Sequence, residues 1–162
     1  EAINKIDEDL TRYLIDLSSE PLSQKESEVL TNILDSSRDL ERIGDHGEAL
    51  INLTDYIRRK KVEFSPAALQ ELDLIYNMTL SFIKESLKSV EDNDIELVNS
   101  LVAKHEAIDK MERRLRKTHI HRLNRGECST QAGVNFIDII SHYTRVADHA
   151  MNLAEKVQAE QI

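Results

Sequence analysis

The chain has 162 residues, a formal net charge of −9, 40% apolar residues and only 4% aromatic ones. That length supports one compact domain whose core must come from Leu, Ile, Val and Ala, and the acidic balance argues against a nucleic-acid partner, which requires a basic face that displaces counterions from phosphates. No apolar run approaches the roughly 18–20 residues that cross a bilayer and nothing resembles a signal peptide, so a soluble segment is expected; the lone Cys128 cannot form an intrachain disulfide, which fits a reducing compartment.

Few Gly, two Pro and abundant Leu, Glu, Lys, Arg and Ser predict an all-α fold. A first helix carries Ile3, Ile6, Leu10, Tyr13 and Leu17 at alternating steps of three and four, and Ser18 to Pro21 end it. Ser23 with Glu26 forms a capping box, in which hydroxyl and carboxylate reciprocally satisfy free amides and so open a long second helix. Its seam reads Ile33, Ser36, Leu40, Ile43, Gly47, Leu50, Thr54 and Ile57, and the cations Arg58 to Lys61 suit the negative end of the helix dipole. Ser65-Pro66 restarts the chain with a capping hydroxyl followed by a proline whose missing amide costs nothing there. Leu69, Leu72, Tyr76, Thr79, Ile83 and Val90 mark helix three. Asn93-Asp94, with Glu96 expected to complete a second capping box, precede helix four, whose seam includes Leu97, Leu101, Ile108, Met111 and Leu115; Gly126 stops it as a left-handed cap. Helix five starts near Ser129 or Thr130 and carries Phe136, Ile139, Tyr143, Val146, Ala150, Leu153 and Val157.

Two stretches of the chain nearly coincide. Glu41-Arg42-Ile43-Gly44-Asp45-His46 in helix two returns as Thr144-Arg145-Val146-Ala147-Asp148-His149 in helix five, and Ala2-Ile3-Asn4-Lys5-Ile6-Asp7 in helix one returns as Ala107-Ile108-Asp109-Lys110-Met111-Glu112 in helix four. The chain is therefore a duplicated unit. Helix one maps onto helix four and helix two onto helix five, so the expected architecture is two antiparallel helical bundles with five helices present: residues 1–92 form the first and residues 93–162 a second, incomplete one, with a sixth helix expected beyond residue 162.

Within the repeat, Leu40, Ile43 and Gly47 mark the core side, which turns Asp45 outward with Glu41 and Glu48 on the same stripe. Like charges at that spacing repel by roughly 0.2–0.5 kcal/mol per pair and call for a cation. One solution is arginine from the same helix: Arg38 toward Glu41, Arg42 toward Asp45, Arg145 toward Asp148. The other is a metal ion, because Asp45 and Asp148 are retained on the face that packing leaves free. Asn4, Asp7 and Glu8 of helix one, or Glu106 and Asp109 of helix four, are then candidates to complete a shell that suits hard cations such as Mg, Mn or Ca, or an iron cluster with bridging oxygens. His46 and His149 read as hydrogen-bonding or packing residues, His105, His119, His121 and His142 have no ligand spacing, and the matched small residues Gly44/Ala147 and Gly47/Ala150 read as points of close helix approach. A ferritin-like di-metal oxidase needs inward Glu-x-x-His motifs, and none occurs. Phosphate-binding Gly-rich loops, nucleophile elbows and His-Glu-x-x-His zinc motifs are likewise missing from the sequence. The basic segment from Arg113 to Arg125 reads as a solvated helix end rather than a lipid-binding patch.

Taken together, Asp39-Leu-Glu-Arg-Ile-Gly-Asp-His and Tyr143-Thr-Arg-Val-Ala-Asp-His-Ala-Met-Asn-Leu-Ala-Glu resemble the paired motifs of the PhoU family of phosphate-regulatory proteins, over most of the chain. With the Arg122-Leu-Asn-Arg-Gly-Glu-Cys-Ser linker, the sequence looks like the PhoU-like cytosolic domain of bacterial sodium-dependent phosphate symporters. The resemblance implies two three-helix bundles and, in some members, multinuclear metal clusters held by a Glu/Asp-x-x-x-Asp motif on each bundle. Carried over residue by residue, it gives metal candidates Glu41 and Asp45 in the first copy and Asp148 with Asn152 in the second, joined by Asp109 from helix four, for a divalent or multinuclear centre of Fe, Zn, Mn, Mg or Ca. Thr144 stands where the family has an acid, and Ala49 where the second copy has Asn152. The function it implies is a non-enzymatic regulatory domain on the cytoplasmic side of the membrane, following a transmembrane phosphate-transport domain upstream in the same chain; the alternative is a free-standing PhoU-like adaptor of phosphate uptake and signalling. A homodimer is a further expected form, and no nucleic acid is.

Overall fold

A computed structural model describes residues 2–19 and 21–159, the side chains of 158 and 159 excepted. They form five helices: α1 (Ala2–Leu17), α2 (Gln24–Lys60), α3 (Pro66–Glu91), α4 (Ile95–Asn124) and α5 (Thr130–Ala159). Among the described residues there is no strand, and no helix is long and apolar enough to cross a membrane. The fold is all-α, as composition and periodicity predict.

The helix ends follow from their capping chemistry. Ser23 Oγ accepts from the Glu26 amide while the Glu26 carboxylate accepts from the Ser23 amide at 2.8 Å, completing the capping box. Ser65 caps α3 ahead of Pro66, and Ser129 Oγ accepts from the Ala132 amide at 3.1 Å to open α5. Gly126 takes φ +69, and its amide reaches the Leu123 carbonyl at 3.0 Å, the left-handed stop expected after α4. The second expected capping box does not form: Asp94 is the cap and accepts from the amide of Leu97, so Glu96 falls one residue short of the position from which a carboxylate reaches back.

α5 is the central element. It packs against α2, α3 and α4, α3 also packs against α4, and α1 packs against α2 alone. Phe82, Val98, Leu101, Ile108 and Ala147 build one core cluster, and Ala68, Ile75, Leu115, Phe136 and Ile140 a second. Both lie among α3, α4 and α5. The third helix, grouped by sequence with the first two in residues 1–92, thus makes its close backbone approaches to α4 and α5, and none to α1 or α2 among the described residues. Similarity of two helix pairs does not say whether the third helix leads or follows its pair; here α3 precedes the pair it covers.

Burial shows the consequence. Ile108 of α4 is 1% exposed, whereas its counterpart Ile3 in α1 is 44% exposed; Phe136 of α5 is fully buried, whereas its counterpart Ile33 in α2 is 39% exposed. The expected α1 stripe therefore lies largely open, with Ile6, Tyr13 and Leu17 also exposed and Leu14 buried instead. In α3 the buried face is Ala68, Ile75, Thr79, Phe82, Ser86 and Ser89; Thr79 lies on the expected stripe, whereas Leu69, Tyr76, Ile83 and Val90 each stand one residue past a buried position. Small residues at Ala68, Ser86 and Ser89 allow close helix approach, and a reading based on bulky apolar residues passes over them.

Candidate metal centre

α4 and α5 bring three donors together on the second copy of the repeat. His105 and Asp109 stand one turn apart on α4 and face Asp148 of α5, with one ligand atom from each inside a sphere where all lie within 4.8 Å of one another. His105 Nε2 is 3.0 Å from Asp148 Oδ1, and its ring packs against Phe82, centroids 5.8 Å apart, which fixes the imidazole from behind. All three side chains are half-buried, screened enough to hold a geometry and open enough to admit an ion. Arg145, one turn before Asp148, reaches its other oxygen at 3.3 Å.

Two carboxylates and one imidazole form a mixed oxygen and nitrogen donor set with two negative charges, which fits a divalent ion of the Mn, Fe, Co or Zn kind better than Mg or Ca, both of which favour oxygen donors alone. Asp109 and Asp148 are the acids expected from sequence. His105 is hidden in the sequence because one partner is on its own helix and the other is far along the chain on another; the His105-Glu106-Ala107-Ile108-Asp109 spacing is the available signal, since residues one turn apart share a face.

The other expected ligands lie elsewhere. In the first copy, Arg42 reaches Asp45 at 3.3 Å and Glu41 at 3.6 Å, so the arginine solution holds there, while Arg38 pairs with Asp35 rather than Glu41. Asp7 of α1 is engaged by Ser37, whose hydroxyl donates to it at 2.6 Å, and no third ligand joins Glu41 and Asp45 among the described residues. Asn152 faces α2, where its amide donates to Asp39 at 3.0 Å.

That contact belongs to a polar seam along which α2 and α5 run antiparallel. Lys156 reaches Asp35 at 3.4 Å, His149 Nδ1 lies 2.8 Å from Asp39, His46 Nδ1 lies 3.0 Å from His142 Nδ1, and Gln131 donates to the Tyr56 hydroxyl at 2.7 Å. The rings of His46 and His149, equivalent in the repeat, stack at 5.7 Å. Burial and the facing rings of His142 and His149 push the His46 pKa below its ordinary value. At the far end of α4 a different cluster is structural: Arg122 forks onto Glu71 of α3, donates to His119 Nδ1 at 3.1 Å, and lies over Phe136.

A duplicated helical-bundle protein with a cluster of two acids and one imidazole on one copy is the class that this fold and geometry define. More narrowly, the chain belongs to the PhoU family: the profile of the PhoU domain matches residues 1–54 and 72–157. It is 31% identical over 133 residues to phosphate-specific transport system accessory protein PhoU homolog 1 of Thermotoga maritima, covering 82% of this chain and 56% of that protein. Its identity to the Streptococcus pneumoniae (serotype 4) PhoU homolog is 27% over 126 residues, covering 78% and 57%. The chain thus spans a little over half the length of these relatives. The crystal structure of PhoU from Pseudomonas aeruginosa superimposes with a TM-score of 0.89 at 19% identity, over 99% of this chain and 76% of that one. The phosphate transport system regulatory protein PhoU of S. pneumoniae gives 0.83 at 22%, over 99% and 74%. At such identities the structural likeness shows the shared fold.

Proposed function

We propose that this chain is a non-enzymatic regulatory module of phosphate transport, working as a PhoU-like accessory on the cytoplasmic face of a membrane phosphate transporter. Family membership supports the reading, and the relatives' description as transport-system accessory proteins favours the free-standing adaptor over a domain tethered to a sodium–phosphate symporter. The observation that carries the site is the convergence of His105, Asp109 and Asp148 from two helices. His105, Asp109 and Asp148 would hold a divalent ion, with Phe82 keeping the imidazole in place, and such an ion would supply charge neutralisation and a cross-link between α4 and α5. The open apolar flank of α1 and α2 supports an interface, and sedimentation that shows only monomer at tens of micromolar would remove the homodimer from the proposal.

The test joins metal content to uptake. Protein purified without chelator retains or rebinds a divalent transition-metal ion at this site, and His105→Gln, Asp109→Asn or Asp148→Asn each weakens binding there by at least about tenfold, the scale on which metal sites respond to lost partners. Glu41→Gln with Asp45→Asn leaves the content unchanged. In cells, deletion of the gene alters the phosphate-dependence of radiolabelled phosphate uptake; an identical uptake curve refutes the regulatory reading, and elemental analysis blank before and after soaking refutes the metal.

A further inference from the structure

We propose that His46 of α2 and His142 of α5 form a second, separate metal site, a bis-imidazole clamp for one late divalent transition-metal ion such as Zn2+, Ni2+ or Cu2+ that pins the two copies of the repeat together. The two Nδ1 atoms face each other at 3.0 Å. With metal–nitrogen bonds near 2.0–2.1 Å, two imidazoles on one ion stand about 2.9–3.4 Å apart for bond angles between right and tetrahedral, so the pair already has the required bite. Both residues are half-buried, which leaves a path for the ion and for the waters that complete its shell.

The internal symmetry makes the pair stand out. Two turns before His149 is His142, and two turns before His46 is Asp39. The local two-fold relation of α2 and α5 thus sets His149 against Asp39 and His46 against His142, at 2.8 and 3.0 Å. In the first half the imidazole meets a carboxylate that Asn152 also supports, a complete arrangement that needs no ion. In the second half a histidine occupies the carboxylate's place, and the Asn152 position is taken by Ala49. Two nitrogen lone-pair carriers remain, of which only one can donate to the other. Imidazole donors without a carboxylate select late transition metals over Mg2+ or Ca2+. The stacked ring of His149 holds the His46 plane, an outer support of the kind that orients metal-bound histidines. Of the charged neighbours, Asp45 adjoins His46, and Arg145, one turn after His142, is already drawn off toward Asp148 at 3.3 Å. No third acid or imidazole groups with His46 and His142 among the described residues, so water completes the shell.

The experiment uses the full chain with the first site disabled by His105→Gln and Asp148→Asn, so that its outcome is independent of that site. Titration with Cu2+ followed by electron paramagnetic resonance is expected to show about one tightly bound ion with two equatorial nitrogens, and Zn2+ to raise the melting temperature. His142→Gln in the same background, which keeps a group able to hydrogen-bond His46, is expected to remove the nitrogen couplings and weaken binding by at least about tenfold; His46→Gln provides the same reading should His142→Gln fold poorly. Unchanged couplings in either variant, or no stoichiometric binding at micromolar Cu2+ in the background protein, would overturn the site and leave a plain histidine–histidine hydrogen bond.

Discussion

Removal of the Glu71 carboxylate should be among the more damaging single changes to the α3–α4 contact. Arg122 places both terminal nitrogens on Glu71, Nη1 at 3.1 Å, and its side chain is only 11% exposed. The pairing pushes the Arg122 pKa above its ordinary value; that rise goes with Glu71, but a guanidinium stays charged without its partner because arginine does not give up its proton in proteins. Breaking a fully buried pair costs about 3–5 kcal/mol because the remaining charge has no compensation. Glu71 keeps partial access to water, which lowers the expectation for Glu71→Leu to about 2–3 kcal/mol. Arg122→Met should cost about the same, adding the lost hydrogen bond to His119 at about 1 kcal/mol to the stranded carboxylate. The double variant replaces both charges by apolar groups of similar volume and should cost no more than about 1–2 kcal/mol, a coupling of roughly 3 kcal/mol. Urea unfolding followed by far-ultraviolet circular dichroism measures all four proteins, and equal m-values license the comparison. Additive single effects, or a Glu71→Leu cost below about 1 kcal/mol, would show that the pair is solvated and that the argument from burial fails.

The matched glycines of α2 should respond differently. A Cβ on Gly47 meets nothing within 4 Å, so Gly47→Ala should stabilise by about 0.5–1 kcal/mol through helix propensity alone. Gly44→Ala would place its Cβ 2.9 Å from Ile3 Cδ1 and should lose most of that gain; thermal unfolding of the two variants checks the difference. Burial, then Arg122, depress the pKa of His119. The unfolded chain therefore takes up a proton that the native state refuses once the pH falls below about 6.5, and stability should decline from there down to the native pKa. His119→Gln should flatten that limb of the stability–pH curve, and an unchanged slope would reject the assignment. Ser23→Ala should cost about 0.5–2 kcal/mol by opening the capping box, read as lost helicity at the start of α2 by hydrogen exchange.

Helix ends were legible because their determinants are local: Ser23 with Glu26, Ser65 with Pro66, and Gly126 each act within one turn. The duplication, and with it the family, was legible because Asp45-His46 and Asp148-His149 recur on matching backbones. The partner of α3 was not, since which pair it covers depends on contacts distant in sequence, and its buried face was hidden behind Ala68, Ser86 and Ser89. For the candidate site, Asp148 was readable as an acid kept with Asp45 on a repeated face, and Asp109, whose counterpart is Asn4, as a nearby acid on the neighbouring helix. His105 emerges only once α4 lies beside α5. The first copy shows the limit of the same logic, because Arg42 meets the charge of Glu41 and Asp45 within one helix, and a repeated motif alone cannot tell an arginine from an ion.

Asp148 and His149 are consecutive residues, yet one meets His105 of α4 and the other meets Asp39 of α2. Successive side chains diverge by about 100° around a helix, so a single peptide unit joins the Asp148–His105 contact to the contact between the repeated halves. With no side chain between them, neither contact can be re-aimed by turning α5 without disturbing the other, so the two together fix the angle at which α5 sits between α4 and α2.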